Sequence, residues 1–420
     1  MTTQAPAAGA APLVVRTVAV PDPGPLLGLL PDSRGLAWLR RGEGLVGWGH
    51  AARVRVGGPD RFAAAEDWWS ALVRTAVVRD EVEQPGSGPV AFGSFTFGDE
   101  PGGSPLVVPE VVVGHRAGRW WVTTATVGGV IPPVAELPGV TPVRRPSGVV
   151  FADGARSGAE WSTVVATALD RIAAGEVEKV VLARDLVAES AEPVDLRWPL
   201  ARLAETYPGC WTFAVDGLLG ATPEMLVRLD LGLVTSRVLA GTIRRTGDDA
   251  HDLVNAASLA RSSKDLEEHE YAVRSVADAL APHCTGMNVP ETPFVLHLPN
   301  VMHLATDVTG VVGDGWTSLR LAASLHPTAA VCGTPTEAAR RVIADVEGLD
   351  RGRYAGPVGW MDARGDGEWG IALRCAEVDP ADGRRLRLFA GCGIVAGSDP
   401  EAELAESAAK LVPMRDALTG

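Results

Sequence analysis

The sequence predicts an α+β fold built on large, mostly antiparallel sheets. Three observations carry this. The first 150 residues alternate short apolar runs with Gly and Pro turn signals. After a connector, amphipathic helical stretches interleave with further strands. Strands also follow one another in hairpin-like succession, which disfavours a doubly wound parallel sheet.

The elements follow in order. Residues 1–12 read as a disordered tail, 13–150 as a sheet-rich N-terminal half and 151–420 as a second half of one integrated domain. GLAWLRRGEGLVGWG, ARVRVGG, VAFGSFTF, PEVVVGH and RWWVTTATVGG are rich in Val, Trp, Thr and Phe and read as strands. RFAAAEDWWSALVRTAVVRD reads as one helix among them, and residues 142–157 as a connector. WSTVVATALDRIAAGEV is an amphipathic helix that leads straight into the strand EKVVLARDLVA. Further helices are expected at VDLRWPLARLAETY, AHDLVNAASLARSSKDLEEHEYAVRSVADALAP, TSLRLAASL, TEAARRVIADVEG and PEAELAESAAKLVPMRDAL. Strands are expected at CWTFAVDG, EMLVRLD, GLVTSRVLAG, VMHLATDVTGVV, AGPVGWMDA, EWGIALRCAEV and LRLFAGCGIV.

Composition narrows the function classes. The 420 residues carry 52 acidic and 38 basic side chains, a formal charge of −14. The basic field of a nucleic-acid binder is absent, so an anionic substrate must be held by a local cluster of cations. Five cysteines, an odd number without a CxxC pair, indicate neither a disulfide framework nor a zinc site, and buried thiols are expected. The N-terminus lacks the pattern of a signal peptide, and no apolar run reaches membrane-spanning length. A cytoplasmic protein without membrane or nucleic-acid partners is expected.

Several residues are suited to chemistry, each with an ordinary alternative. Lys179 adjoins the apolar run VVLA, where desolvation makes a lysine usable as a base; a strand-edge lysine reaching solvent is the plain alternative. Glu224, in GATPEMLV, stands where a turn hands over to a strand; it is a candidate general acid or a solvated turn residue. Glu267, Glu268 and His269 fall in one long helical stretch, and Glu403, Glu406 and Lys410 share one face of another. Carboxylates from two helices suit Mg²⁺, while solvated i,i+4 ion pairs are the alternative. Arg374, flanked by Ala372 and Ala376 on a strand fit for burial, needs a partner, most naturally a carboxylate. Gly391 and Gly393 either let backbone N–H groups approach an anion or make bends. No Walker A or strand-GxGxxG-helix motif is present, which argues against ATP and NAD.

VEKVVLARD, GATPEMLV, SRVLAGTIRR, SSKDLEEHEYAV, VMHLATDVTG, LHPTAAVCGTP, RYAGPVGWMDARGDGEWGIALRCAEV and AGCGIVAGSDPEAELAESAAKL occur in this order. Together they resemble the chorismate-utilising enzyme family and, within it, the isochorismate synthase branch. The close match covers residues 155–415, which makes 151–420 the expected chorismate-binding, catalytic half. The resemblance implies one large unit of two packed sheets with helices outside. It also implies attack of water at C2 of chorismate with loss of the C4 hydroxyl. By position, Lys179 resembles the base, Glu224 the acid, and Glu268 and Glu406, with Glu403 close by, the carboxylates that hold Mg²⁺. Tyr354, Arg374, Gly391 and Lys410 resemble binders of the enolpyruvyl carboxylate. Gly241 and Thr242 resemble a loop lining the ring site, and His303, Thr306 and Ala330 are expected in the site.

Lysine at position 179 argues against the anthranilate branch, and no tryptophan-sensing motif is evident. Ala330 resembles the isochorismate synthase pattern, and Ala329 departs from the usual proline. A monomer without an amidotransferase partner is expected. The alternatives are a salicylate synthase, which goes on to eliminate pyruvate, and a catalytically silent binding protein of the same fold.

Overall fold

The computed structural model describes residues 11–32, 34–100, 103–139 and 141–420. Most of the expected N-terminal tail lies outside the described residues, and the first strand begins at Leu13. Two sheets form the body of the protein, one of thirteen and one of ten strands among the described residues. Among the described residues all strand pairs are antiparallel except Leu13–Val20 with Val77–Asp80. The larger sheet runs without a break from the second half of the chain into the first, because Trp211–Val215 pairs with Leu36–Arg40.

The sheets pack face to face on large aromatic side chains. Trp38 and Phe213 from one sheet meet Phe92 and Trp369 from the other in a single core. Trp38 Nε1 donates to Glu368 Oε2 across that interface at 2.8 Å, which satisfies the indole N–H. The helices Arg197–Thr206 and Pro400–Thr419 cover the outer face of the large sheet through Leu200, Leu203, Leu411 and Met414. All five cysteines are free and buried. No helix among the described residues is long and apolar enough to cross a membrane.

Four sequence expectations need correction. The helix read across 61–80 ends at Arg74, and β-branched Val77 and Val78 begin a strand that pairs with Leu13–Val20. The connector 142–157 contains the strand Val150–Asp153, paired with Lys179–Glu189. The long helical stretch divides into Asp249–Leu259 and Ser263–Leu280, because Ser262 turns extended and caps the second helix by accepting from the Asp265 amide. EWGIALRCAEV is two strands, Gly367–Ile371 and Cys375–Val378, and Arg374 lies between them at φ +48°.

Candidate active site

The lysine strand Lys179–Glu189 lies beside Arg385–Val395, with Lys179 opposite Val395, Val181 opposite Gly393 and Ala183 opposite Gly391. Paired residues share a face, so the face that carries Lys179 is the one from which two side chains are missing. Other groups fill that room. A Cβ on Gly393 would stand 2.3 Å from Glu268 Oε1 and 3.0 Å from Lys179 Cε, and one on Gly391 would stand 2.9 Å from Tyr354 Oη. Both glycines lie inside the strand at negative φ. They are neither bends nor an anion nest but openings for neighbouring side chains.

Lys179 is fully buried, against the strand-edge alternative. Its Nζ stands 3.1 Å from Glu268 Oε1, an ion pair that lacks hydrogen-bond alignment. Glu268 comes from Ser263–Leu280, which packs on Leu233–Arg244. That approach is set at Gly241, where the strand bulges at φ +78° and a Cβ would meet Asp265 Cβ at 3.0 Å.

A small cavity of about 60 Å³ opens above the two glycines. Ten of the fourteen expected site residues line it: Glu224, Gly241, Thr242, Glu268, His303, Ala330, Tyr354, Arg374, Gly391 and Lys410. Lys179 lies beneath Gly393 and Glu268. Glu403 and Glu406 lie on the helix Pro400–Thr419, where Lys410 Nζ reaches Glu406 Oε1 at 2.6 Å and donates to the Gly391 carbonyl at 3.0 Å. Thr306 is displaced from the expected site. It bonds His269 Nε2 at 2.8 Å and does not line the cavity.

The electrostatics of the cavity are uneven. Burial pushes the Glu224 carboxyl up to about 8, although the Leu239 amide, Lys179, Arg374 and Lys410 pull the other way. Glu224 therefore holds a proton at neutral pH, as a general acid must. Burial acts to lower the Lys410 ammonium, but Glu406 and Cys392 together raise the group. Arg374 is buried, yet no carboxylate among the described residues pairs with it; its polar partner is His303 Nε2, 3.2 Å from Nη2. The guanidinium faces the cavity.

The donor set fits a hard divalent cation. Ligand atoms of Cys392, Glu403 and Glu406 lie within 4.8 Å of one another. Burial pushes the Cys392 thiol up, Lys410 opposes the shift, and Glu406, Glu403 and Glu268 add to it. A neutral thiol is a poor ligand for a hard cation, which leaves the carboxylate oxygens as donors.

Sequence reading passed over Arg351 and Glu347. They form a buried pair at 2.6 Å. Arg351 donates to the carbonyls of Val181 at 2.7 Å and Val331 at 2.9 Å, and Glu347 accepts from the Ala183 amide at 2.7 Å. The pair fixes the lysine strand against the Ala330 loop. Its signal was an i,i+4 Glu–Arg pair, which is also what a solvated helix end shows.

Comparison with known proteins places this site in a family. The chorismate binding enzyme family model matches residues 37–129 and 143–419. The chain belongs to the chorismate-binding enzymes. Isochorismate synthase DhbC of Bacillus subtilis is 44% identical over 62% of this chain and 67% of its own length. The salicylate biosynthesis isochorismate synthase of Pseudomonas aeruginosa is 33% identical over 91% of this chain and 84% of its own. The solved structure of MenF, the menaquinone-specific isochorismate synthase from Escherichia coli, superposes with a TM-score of 0.78 at 25% identity. That match covers 97% of this chain and 95% of MenF. The family resemblance and the two-sheet α+β fold read from the sequence are both borne out.

Proposed function

We propose that this chorismate-binding enzyme is a Mg²⁺-dependent isochorismate synthase. The observation that carries the reading is the pairing of two groups in one cavity. Arg374 is a buried cation without a carboxylate partner among the described residues, and Glu224 is a buried carboxyl that keeps its proton. Chorismate supplies what each lacks, a carboxylate for the arginine and a hydroxyl leaving group for the acid.

Arg374, Tyr354 and Lys410 hold the enolpyruvyl carboxylate over Gly391, and Gly241, Thr242 and Ala330 bound the ring. Water attacks C2 and gives its proton to Lys179 acting as the neutral amine. The ring double bonds shift, and the C4 hydroxyl leaves as water with the Glu224 proton. One water enters and one departs, so the reaction is an isomerisation. Glu268 and Glu406, with Glu403 beside them, would hold Mg²⁺, which when bound neutralises and orients the ring carboxylate. General acid–base help of this kind contributes roughly 10²–10⁴-fold per group. The enzyme acts as a cytoplasmic monomer without an amidotransferase partner.

The salicylate synthase alternative differs by release of pyruvate. Thermal unfolding tests the binding part of the reading. Chorismate raises Tm in the presence of Mg²⁺, less so with EDTA, and not in Arg374→Met; equal stabilisation of the variant contradicts it.

A further inference from the structure

Two parts of the cavity wall that are distant in sequence are joined by one side chain. His303 lies on Val301–Val312, opposite Thr242 and just past the Gly241 bulge. Its Nδ1 is 3.1 Å from Thr242 Oγ1 and 3.4 Å from the Gly241 carbonyl. Its Nε2 is 3.2 Å from Arg374 Nη2.

A guanidinium only donates hydrogen bonds, so Nε2 must present its lone pair and the ring proton must sit on Nδ1. Nδ1–H then donates to Thr242 or to the Gly241 carbonyl. An imidazolium would turn N–H against N–H at Arg374, and burial with Arg374 and Lys410 nearby opposes that charge. Both ring nitrogens are occupied by the protein, and neither is left for substrate or for a proton in transit. Arg374 itself stands between two strands at φ +48°, outside the side-chain alternation of either.

We propose that His303 is a positioning residue: a neutral imidazole that aims the Arg374 guanidinium into the cavity and pins it to the Gly241 bulge. This rests on the reading that Arg374 holds a carboxylate of the substrate. It gives His303 a role within the expected site.

Two substitutions divide the two bonds. The amide oxygen of glutamine reaches the place of Nε2 and accepts from Arg374, whereas the amide nitrogen of asparagine stands in for Nδ1–H and leaves Arg374 without an acceptor. His303→Asn raises KM for chorismate about tenfold or more, and His303→Gln raises it clearly less. In an Arg374→Met background, His303→Asn adds no further rise. In the unmutated enzyme, nitrogen-15 NMR of labelled histidine, assigned by comparison with whichever His303 variant folds, finds the proton on Nδ1; this readout stands where the other variant fails to fold. Equal KM rises in the two variants, a further loss on top of Arg374→Met, or a proton on Nε2 overturns the proposal. Absence of chorismate turnover by the unmutated enzyme counts against the functional reading alone, and the labelled-nitrogen spectrum still decides the position of the ring.

Discussion

Lys179 and Glu268 close on each other over Gly393, with Nζ 3.1 Å from Oε1 and the lysine fully buried. The pair joins the strand that carries the proposed base to the helix that carries a proposed metal carboxylate. Lys179→Ala is therefore expected to lower kcat by roughly 10²–10⁴-fold while chorismate binding stays largely intact. Single-turnover kinetics and a binding isotherm check this, and strong residual activity removes Lys179 from the base role.

The carboxylates around Cys392 give a second expectation. Glu268→Gln and Glu406→Gln each raise the Mg²⁺ concentration needed for half-maximal rate, because each removes one hard oxygen donor. Mg²⁺ titration of initial rates measures it. An unchanged metal response in both variants refutes the site.

Glu224 makes the rate and the stability depend on pH. Its folded-state value of about 8 lies above the ordinary 4.5. The acid is present below about 8, so kcat/KM falls as pH rises through that value. Glu224→Gln removes this limb along with most of the rate. Linkage adds a sign. Folding favours the protonated form, so the associated stability is full below the ordinary value and lost as pH rises through about 8. The stability of wild type relative to Glu224→Gln should therefore decline over the same range, as denaturant unfolding at several pH values shows.

The two glycines on the lysine face give a packing test. Gly393→Ala places a methyl where Glu268 Oε1 now lies, and Gly391→Ala places one against Tyr354 Oη and the Leu182 carbonyl. Each is expected to cost about 1–3 kcal/mol of stability by overpacking. Gly393→Ala should lose far more activity than stability, because the displaced group belongs to the proposed machinery. Activity that falls only in proportion to the folded fraction contradicts this.

Much of this architecture was legible in the sequence, and the failures share a cause. Period-2 and period-3.6 patterns located the strand Lys179–Glu189 and the helix Pro400–Thr419, because long amphipathic stretches carry their own phase. Short strands such as Val77–Asp80 and Val150–Asp153 were hidden, since their identity comes from the partner strand and not from their own residues. Ordered motifs pointed to the site residues, but tertiary contact decided which of them meet. Thr306 sits near His303 in sequence yet bonds His269, and Arg374 left its strand to face the cavity. The burial that raises Glu224 was invisible in a Gly-x-x-Pro turn, since it comes from elements far away in the chain.

The central claim is tested most directly by incubating the purified protein with chorismate and Mg²⁺, with an EDTA control, and separating the products by chromatography. Isochorismate that forms only with the metal, without pyruvate or an aromatic product, is the predicted result. Salicylate with pyruvate, or no Mg²⁺-dependent conversion, would contradict it.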